Sequence, residues 1–117
     1  MKKLAFAASL LTLSFAPVQV VHADDSISLR ICEYISVNDK KRLRSYLKTR
    51  KLKIRNVFSD IKCNGQNLLV FAAASNALDT GELIIGKIPS KTVAASIDDI
   101  AKHSAHLAAK AKKRVEG

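Results

Sequence analysis

Tryptophan is absent from this 117-residue chain, and aromatic residues make up only 5% of it. Glycine (4) and proline (2) are sparse while hydrophobic residues reach 48%, which excludes a fibrous or intrinsically disordered protein. Acidic residues are half as many as basic ones, 10 against 20, so the formal charge is +10. Only two cysteines and three histidines occur. No C-x-x-C, H-E-x-x-H or G-x-S-x-G is present, and no Ser, His and Asp fall in a triad-like arrangement. No repeat or low-complexity linker is visible. The length allows one small domain with one core and little room for a deep catalytic cleft. The reading is of a non-enzyme without cofactor.

The N-terminus has the three parts of a secretory signal peptide: the basic Met1-Lys2-Lys3, an apolar run from Leu4 to Ala16, and small residues at Val21 and Ala23 before Asp24-Asp25. Pro17 and Gln19 interrupt the apolar run, which falls short of the ~20 residues of a membrane span. Residues 1–23 are therefore expected to direct export, with a cut after Ala23 that leaves 24–117 as a single domain, periplasmic or secreted. In an oxidising compartment the lone pair Cys32 and Cys63 is expected to form one disulfide. Such a bond would contribute ~3–4 kcal/mol in the chain-entropy model. No histidine lies near either cysteine in sequence, which argues against a metal or redox pair.

The apolar spacing is mostly helical and predicts an all-α fold: a small bundle of about five or six mostly short helices stapled by the disulfide. Ser26 to Ser36 carries a broad apolar face of Ile27, Leu29, Ile31, Cys32, Tyr34 and Ile35. Asn38-Asp39 caps a second helix whose Leu43, Tyr46 and Leu47 form one stripe, ending near Thr49–Lys51. Ile54, Val57, Phe58 and Ile61 suit a short third helix. Asn64-Gly65 is a turn signal. Leu68 to Ala74 reads as a buried helix, with a buried strand as its rival. A loop is expected over Asn76 to Gly81 and a short helix over Glu82 to Ile88, where a strand would also fit. Pro89-Ser90 opens the last element. There Val93, Ile97, Ile100, Ser104, Leu107 and Ala111 predict one long amphipathic helix over about 91–114, with a possible capping box at Ser96 and Asp99. Its acids (Asp98, Asp99) come early and its bases (Lys110, Lys112, Lys113, Arg114) late, as a helix dipole prefers.

Cys32-Glu33-Tyr34, Asn38-Asp39, Arg42-Leu43-Arg44, Leu47, Ile54-Arg55, Cys63-Asn64-Gly65, Leu68-Leu69 and Phe71-Ala72 together resemble a family of short exported gammaproteobacterial proteins of unknown function. The resemblance runs from about Leu29 to Ile88. It implies export and a paired-cysteine fold, with no assigned activity or ligand.

Two motifs point weakly to chemistry. Gly81 to Lys87 fits G-x-x-x-x-G-K, but Ile88 stands where a phosphate loop needs Ser or Thr for magnesium, and its Leu-Ile-Ile interior calls for burial. His103 and His106, with Asp99, are expected near one helix face, yet Lys102 and Lys110 beside them repel a cation and no fourth ligand is evident. No metal is assigned. Nothing marks Glu33 and Asp39 as a working carboxylate pair.

The outstanding feature is Lys40 to Arg55, with nine basic residues and no acid. Lys40, Lys41, Arg44, Lys48 and Lys51 flank the apolar stripe of the second helix. Like-charge neighbours three and four apart cost ~0.2–0.5 kcal/mol each, which a single Glu would relieve. A solvated face accounts for the run if salt screens that cost; binding of an anionic partner accounts for it otherwise. Tyr46 is the only aromatic in the run, so there is no stacking platform for single strands and no base-reading signature, hence no specific nucleic acid. The expected partner is an anionic envelope component (lipopolysaccharide, phospholipid or acidic polymer) or an acidic protein face. The alternative is an interaction module that pairs through its C-terminal helix.

Overall fold

The computed structural model describes residues 22–117, and side chains from Ser26 onward. The segment read as a signal peptide lies outside the described residues up to position 21. Among the described residues there are seven helices and no strand: α1 (His22–Ser36), α2 (Lys40–Thr49), α3 (Ile54–Val57), α4 (Leu68–Ala74), α5 (Leu78–Lys87), α6 (Ser90–Ala101) and α7 (Ala105–Glu116).

Helix α1 already includes His22, ahead of the expected Ser26. It buries Ile31 and Ile35 and half-buries Ile27 and Tyr34, a stripe at steps of three and four. Leu29, expected on that face, lies two residues from both Ile27 and Ile31, which turns it to the opposite side, 70% exposed. In α2 the Asp39 carboxylate accepts from the Arg42 N–H at 3.0 Å, while Leu43 and Leu47 are buried. Helix α3 is a single turn that seats Ile54, with Phe58 and Ile61 buried just after it.

Three helices stop in the same way. After α1, α2 and α4 the chain passes through a left-handed residue, Asn38 (φ 57°), Lys51 (φ 58°) and Asn76 (φ 55°). In each case the next N–H reaches back five residues: Asp39 to the Tyr34 carbonyl, Leu52 to Leu47 and Ala77 to Ala72, at 2.8–2.9 Å. These are Schellman ends, which satisfy carbonyls that the helix leaves without partners. Asparagine tolerates the left-handed backbone, but lysine is held there at a cost. Lys51→Gly is therefore expected to raise stability by about 0.5–1 kcal/mol, read as a higher urea midpoint; a lower midpoint would show that the lysine side chain itself stabilises the fold.

The disulfide joins Cys32 in α1 to Cys63, with Cα atoms 5.7 Å apart. Asn64 and Gly65 both have positive φ, and Cys63 and Gln66 exchange both backbone hydrogen bonds across them, a type I′ turn. Helix α4 follows, buried from Leu68 to Ala73. The strand alternative there is excluded. Asn67 caps it by accepting from Val70 N–H at 2.8 Å, and donates to Ser96 Oγ at 3.2 Å.

Four expectations fail in the C-terminal half. Leu78 to Gly81 is the first turn of α5, not a loop. Its free N–H groups are capped from a distance: Asn38 Oδ1 accepts from Asp79 N–H at 2.9 Å and Thr80 N–H at 3.0 Å. The single long C-terminal helix is instead two, α6 and α7, packed as a hairpin about a turn at Lys102–Ser104. Ser104 Oγ accepts from Leu107 N–H at 3.1 Å and starts the new helix. A hairpin buries the inner stripes of both arms, so Val93, Ile100, Leu107 and Ala111 keep their period while the axis reverses. Ser96 is accordingly a buried mid-helix residue and no capping box forms; Asp98 and Asp99 fall at the C-terminal end of α6, the end a helix dipole does not favour for acids.

Candidate functional site

Folding brings the basic run against α5. Between α2, the α2–α3 turn, α3 and α5 lies an open groove of about 760 Å³. Its lining comprises Leu47, Leu52, Ile54 and Leu83, with Ser45 and Gly86, and five cations: Arg44, Lys48, Lys53, Arg55 and Lys87. Neither a carboxylate nor an imidazole lies among them. All five cations are exposed, and none has a carboxylate partner among the described residues, where ion pairing is confined to Arg30–Glu33, Arg42–Asp39, Lys102–Asp99 and the Glu82 cluster.

The local sequence explains the placement. Leu43 and Leu47 turn inward, so Arg44 and Lys48, one helical turn apart, stand beside them on the flank that meets α5. The Schellman end at Lys51 reverses the chain and delivers Lys53 and Arg55 to the other wall. Gly86 and Lys87 come from the last turn of α5. Of the residues singled out from sequence, the structure gathers Arg44 and Lys48 here. Lys40 and Lys41 sit exposed in the first turn of α2 outside the groove, and Lys51 is taken up by the helix end. Lys53 and Arg55 belonged to the same acid-free run, but only the fold shows that they line one groove with Arg44. Lys87 carried no sequence signal beyond its place after Gly86.

The phosphate-loop pattern dissolves. Gly81 to Lys87 is helical throughout, so its backbone cannot cradle phosphate. Gly81 serves packing instead: a Cβ there would stand 2.6 Å from Leu107 Cδ1, so its absence lets α7 close onto α5.

Nor do His103 and His106 share a helix face. His103 lies in the α6–α7 turn and His106 in the first turn of α7, where its Nε2 contacts Glu82 Oε2 at 2.6 Å. Lys110 Nζ stands 4.0 Å from Glu82 Oε1. The His106 hydrogen bond, aided by the charges of Lys110, His106 and Lys40, holds the Glu82 carboxyl below its usual range. The acid adjacent in sequence to Leu83 is thereby engaged by α7 and leaves the groove's positive charge uncompensated. No group of three metal-ligating side chains occurs among the described residues.

A small, disulfide-stapled, all-α domain with a cation-lined groove is the class this geometry defines. The chain belongs to the DUF3718 family, proteins of unknown function, whose model matches residues 31–99. The match takes in the disulfide, the whole groove and most of α6, beyond the Ile88 limit of the sequence resemblance, and stops short of α7. No curated protein and no solved structure matches the chain.

Proposed function

We propose that this protein is a non-catalytic, exported binding module that engages anionic envelope material through the basic surface centred on α2. The observation that carries the reading is the groove: five cations converge from three helices and a turn, with no carboxylate in the lining and, among the described residues, none paired to them. A merely solvated lysine-rich face gains nothing from such convergence, since like charges brought together repel. An anionic partner turns the same arrangement into attraction. Export accords with the signal-peptide pattern and with the disulfide, a bond favoured in oxidising compartments. The lining offers cations and aliphatics with a single hydroxyl at Ser45, a composition suited to holding an anion rather than to moving protons. The rival reading, pairing through the C-terminal helix, loses the face it needed, because Val93, Ile100, Leu107 and Ala111 are turned into the domain's own core.

The test is charge reversal. Arg44→Glu with Lys48→Glu should leave the fold intact, because both side chains are exposed and new acids relieve like-charge neighbours on α2. Binding to phosphatidylglycerol vesicles or lipopolysaccharide, measured by co-sedimentation, should fall by at least about tenfold, and wild-type binding should weaken with added salt. Equal binding by the two proteins would sink the reading.

A further inference from the structure

The groove is not only charged. Leu52 and Leu83 lie half-buried in its lining, and Leu47 and Ile54, each 6% exposed, complete an apolar floor beneath the cations. At about 760 Å³ it falls in the size range of small-molecule sites, roughly 300–1,000 Å³. Its walls combine two chemistries, ammonium or guanidinium groups and branched aliphatic carbon. A simple polyanion would use the first and leave the second wet.

We infer that this groove is a binding site for a single anionic amphiphile, a phosphate-headed lipid whose head is held by Arg44, Lys48 and Lys87 and whose alkyl chain lies on Leu47, Leu52 and Leu83. The inference rests on the anion-binding reading above and assigns its ligand. Three other occupants fit less well. The chain's own apolar N-terminal run carries Lys2 and Lys3, the wrong sign for this groove. A second copy of the domain presents a surface of the same positive sign. An acidic peptide brings an amide donor and acceptor with every residue, which the aliphatic floor cannot satisfy, whereas an alkyl chain leaves no polar group unmatched.

Gly86 supplies the probe. It sits in the last turn of α5 at the groove wall, and a Cβ built there meets nothing within 4 Å. A side chain there starts in open space at the groove wall, and replacing glycine in a helix favours the helix. The full mature chain, wild type and Gly86→Leu, would be titrated by calorimetry with dodecyl phosphate below its micellar concentration. Inorganic phosphate, octyl phosphate, neutral dodecyl maltoside and a Glu- and Leu-containing amphipathic peptide serve as comparisons. Wild type should bind one dodecyl phosphate at least about tenfold more tightly than octyl phosphate, because each methylene leaving water is worth up to about fourfold in affinity. It should also bind dodecyl phosphate more tightly than phosphate or the maltoside. The ligand should raise the thermal midpoint, as binding to the native state does, where a denaturing detergent would lower it. Gly86→Leu, melting no lower than wild type, should lose at least about tenfold in dodecyl phosphate affinity.

Absence of saturable one-to-one binding, no dependence on chain length, or unchanged affinity in Gly86→Leu would overturn the inference. So would binding of the acidic peptide in place of the amphiphile. If wild type still associates with anionic vesicles in any of these cases, the broader reading stands and only the assigned ligand falls; if it associates with neither, both fall.

Discussion

A Cys63→Ser protein is expected to lose about 3–4 kcal/mol of stability and to be cut first between Lys40 and Arg55. The bond spans a sequence separation of 31 and encloses all of α2 and α3. Constraining a loop of that length removes chain entropy from the unfolded state, and a domain this small has a total stability of only about 5–15 kcal/mol. What otherwise holds the enclosed segment is a short set of buried side chains, chiefly Leu43, Leu47, Ile54, Phe58 and Ile61. Within it, Lys40 to Arg55 alone carries nine basic residues, so the segment is rich in trypsin sites once it loosens. Urea titration and timed trypsin digestion of the oxidised, reduced and Cys63→Ser forms would measure both effects. Matching midpoints and digestion patterns in all three would show that the core alone secures the loop.

The second large effect belongs to a residue with no apparent chemistry. Asn38→Ala should cost about 2–4 kcal/mol, because one side chain performs two tasks. Its Oδ1 accepts from Asp79 and Thr80 N–H, and Thr80 is fully buried, so water cannot replace the lost acceptor there. Its backbone is left-handed, a conformation that alanine resists. Asn38→Gly separates the two, since glycine keeps the backbone and loses only the acceptor. It should fall between alanine and wild type in urea midpoint. If glycine matches wild type, the distant cap contributes nothing.

These two residues mark what the sequence could and could not reveal. The cysteine pairing, the Asp39 cap, the Asn64-Gly65 turn and the all-α class were legible because each depends on neighbours or on a choice with one solution. The remote cap was not. Asp79 and Thr80 find their acceptor more than forty residues away, so the start of α5 reads locally as loop. The α6–α7 reversal was hidden for a different reason: Ser104 lies on the apolar stripe and also caps a helix, and a heptad-like spacing is common to a long helix and to a hairpin. The groove was half visible. Arg44 and Lys48 announce themselves by spacing, whereas Lys53, Arg55 and Lys87 join them only because a left-handed lysine turns the chain back and α5 packs alongside.

Helix α5 behaves mechanically as a strut clamped along its length. Asn38 grips its first turn, Leu107 locks over Gly81, and at the far end Arg114 Nη2 donates to the Ile88 carbonyl at 3.0 Å. The wall that presents Leu83, Gly86 and Lys87 is thus set before any ligand arrives. Under the proposed reading an incoming ligand would not have to order that wall, so little conformational entropy would be lost there on association. Two of the three clamps, Leu107 and Arg114, come from α7, beyond the residues the family model matches. The rigidity of the groove is in this sense borrowed from the tail of the chain.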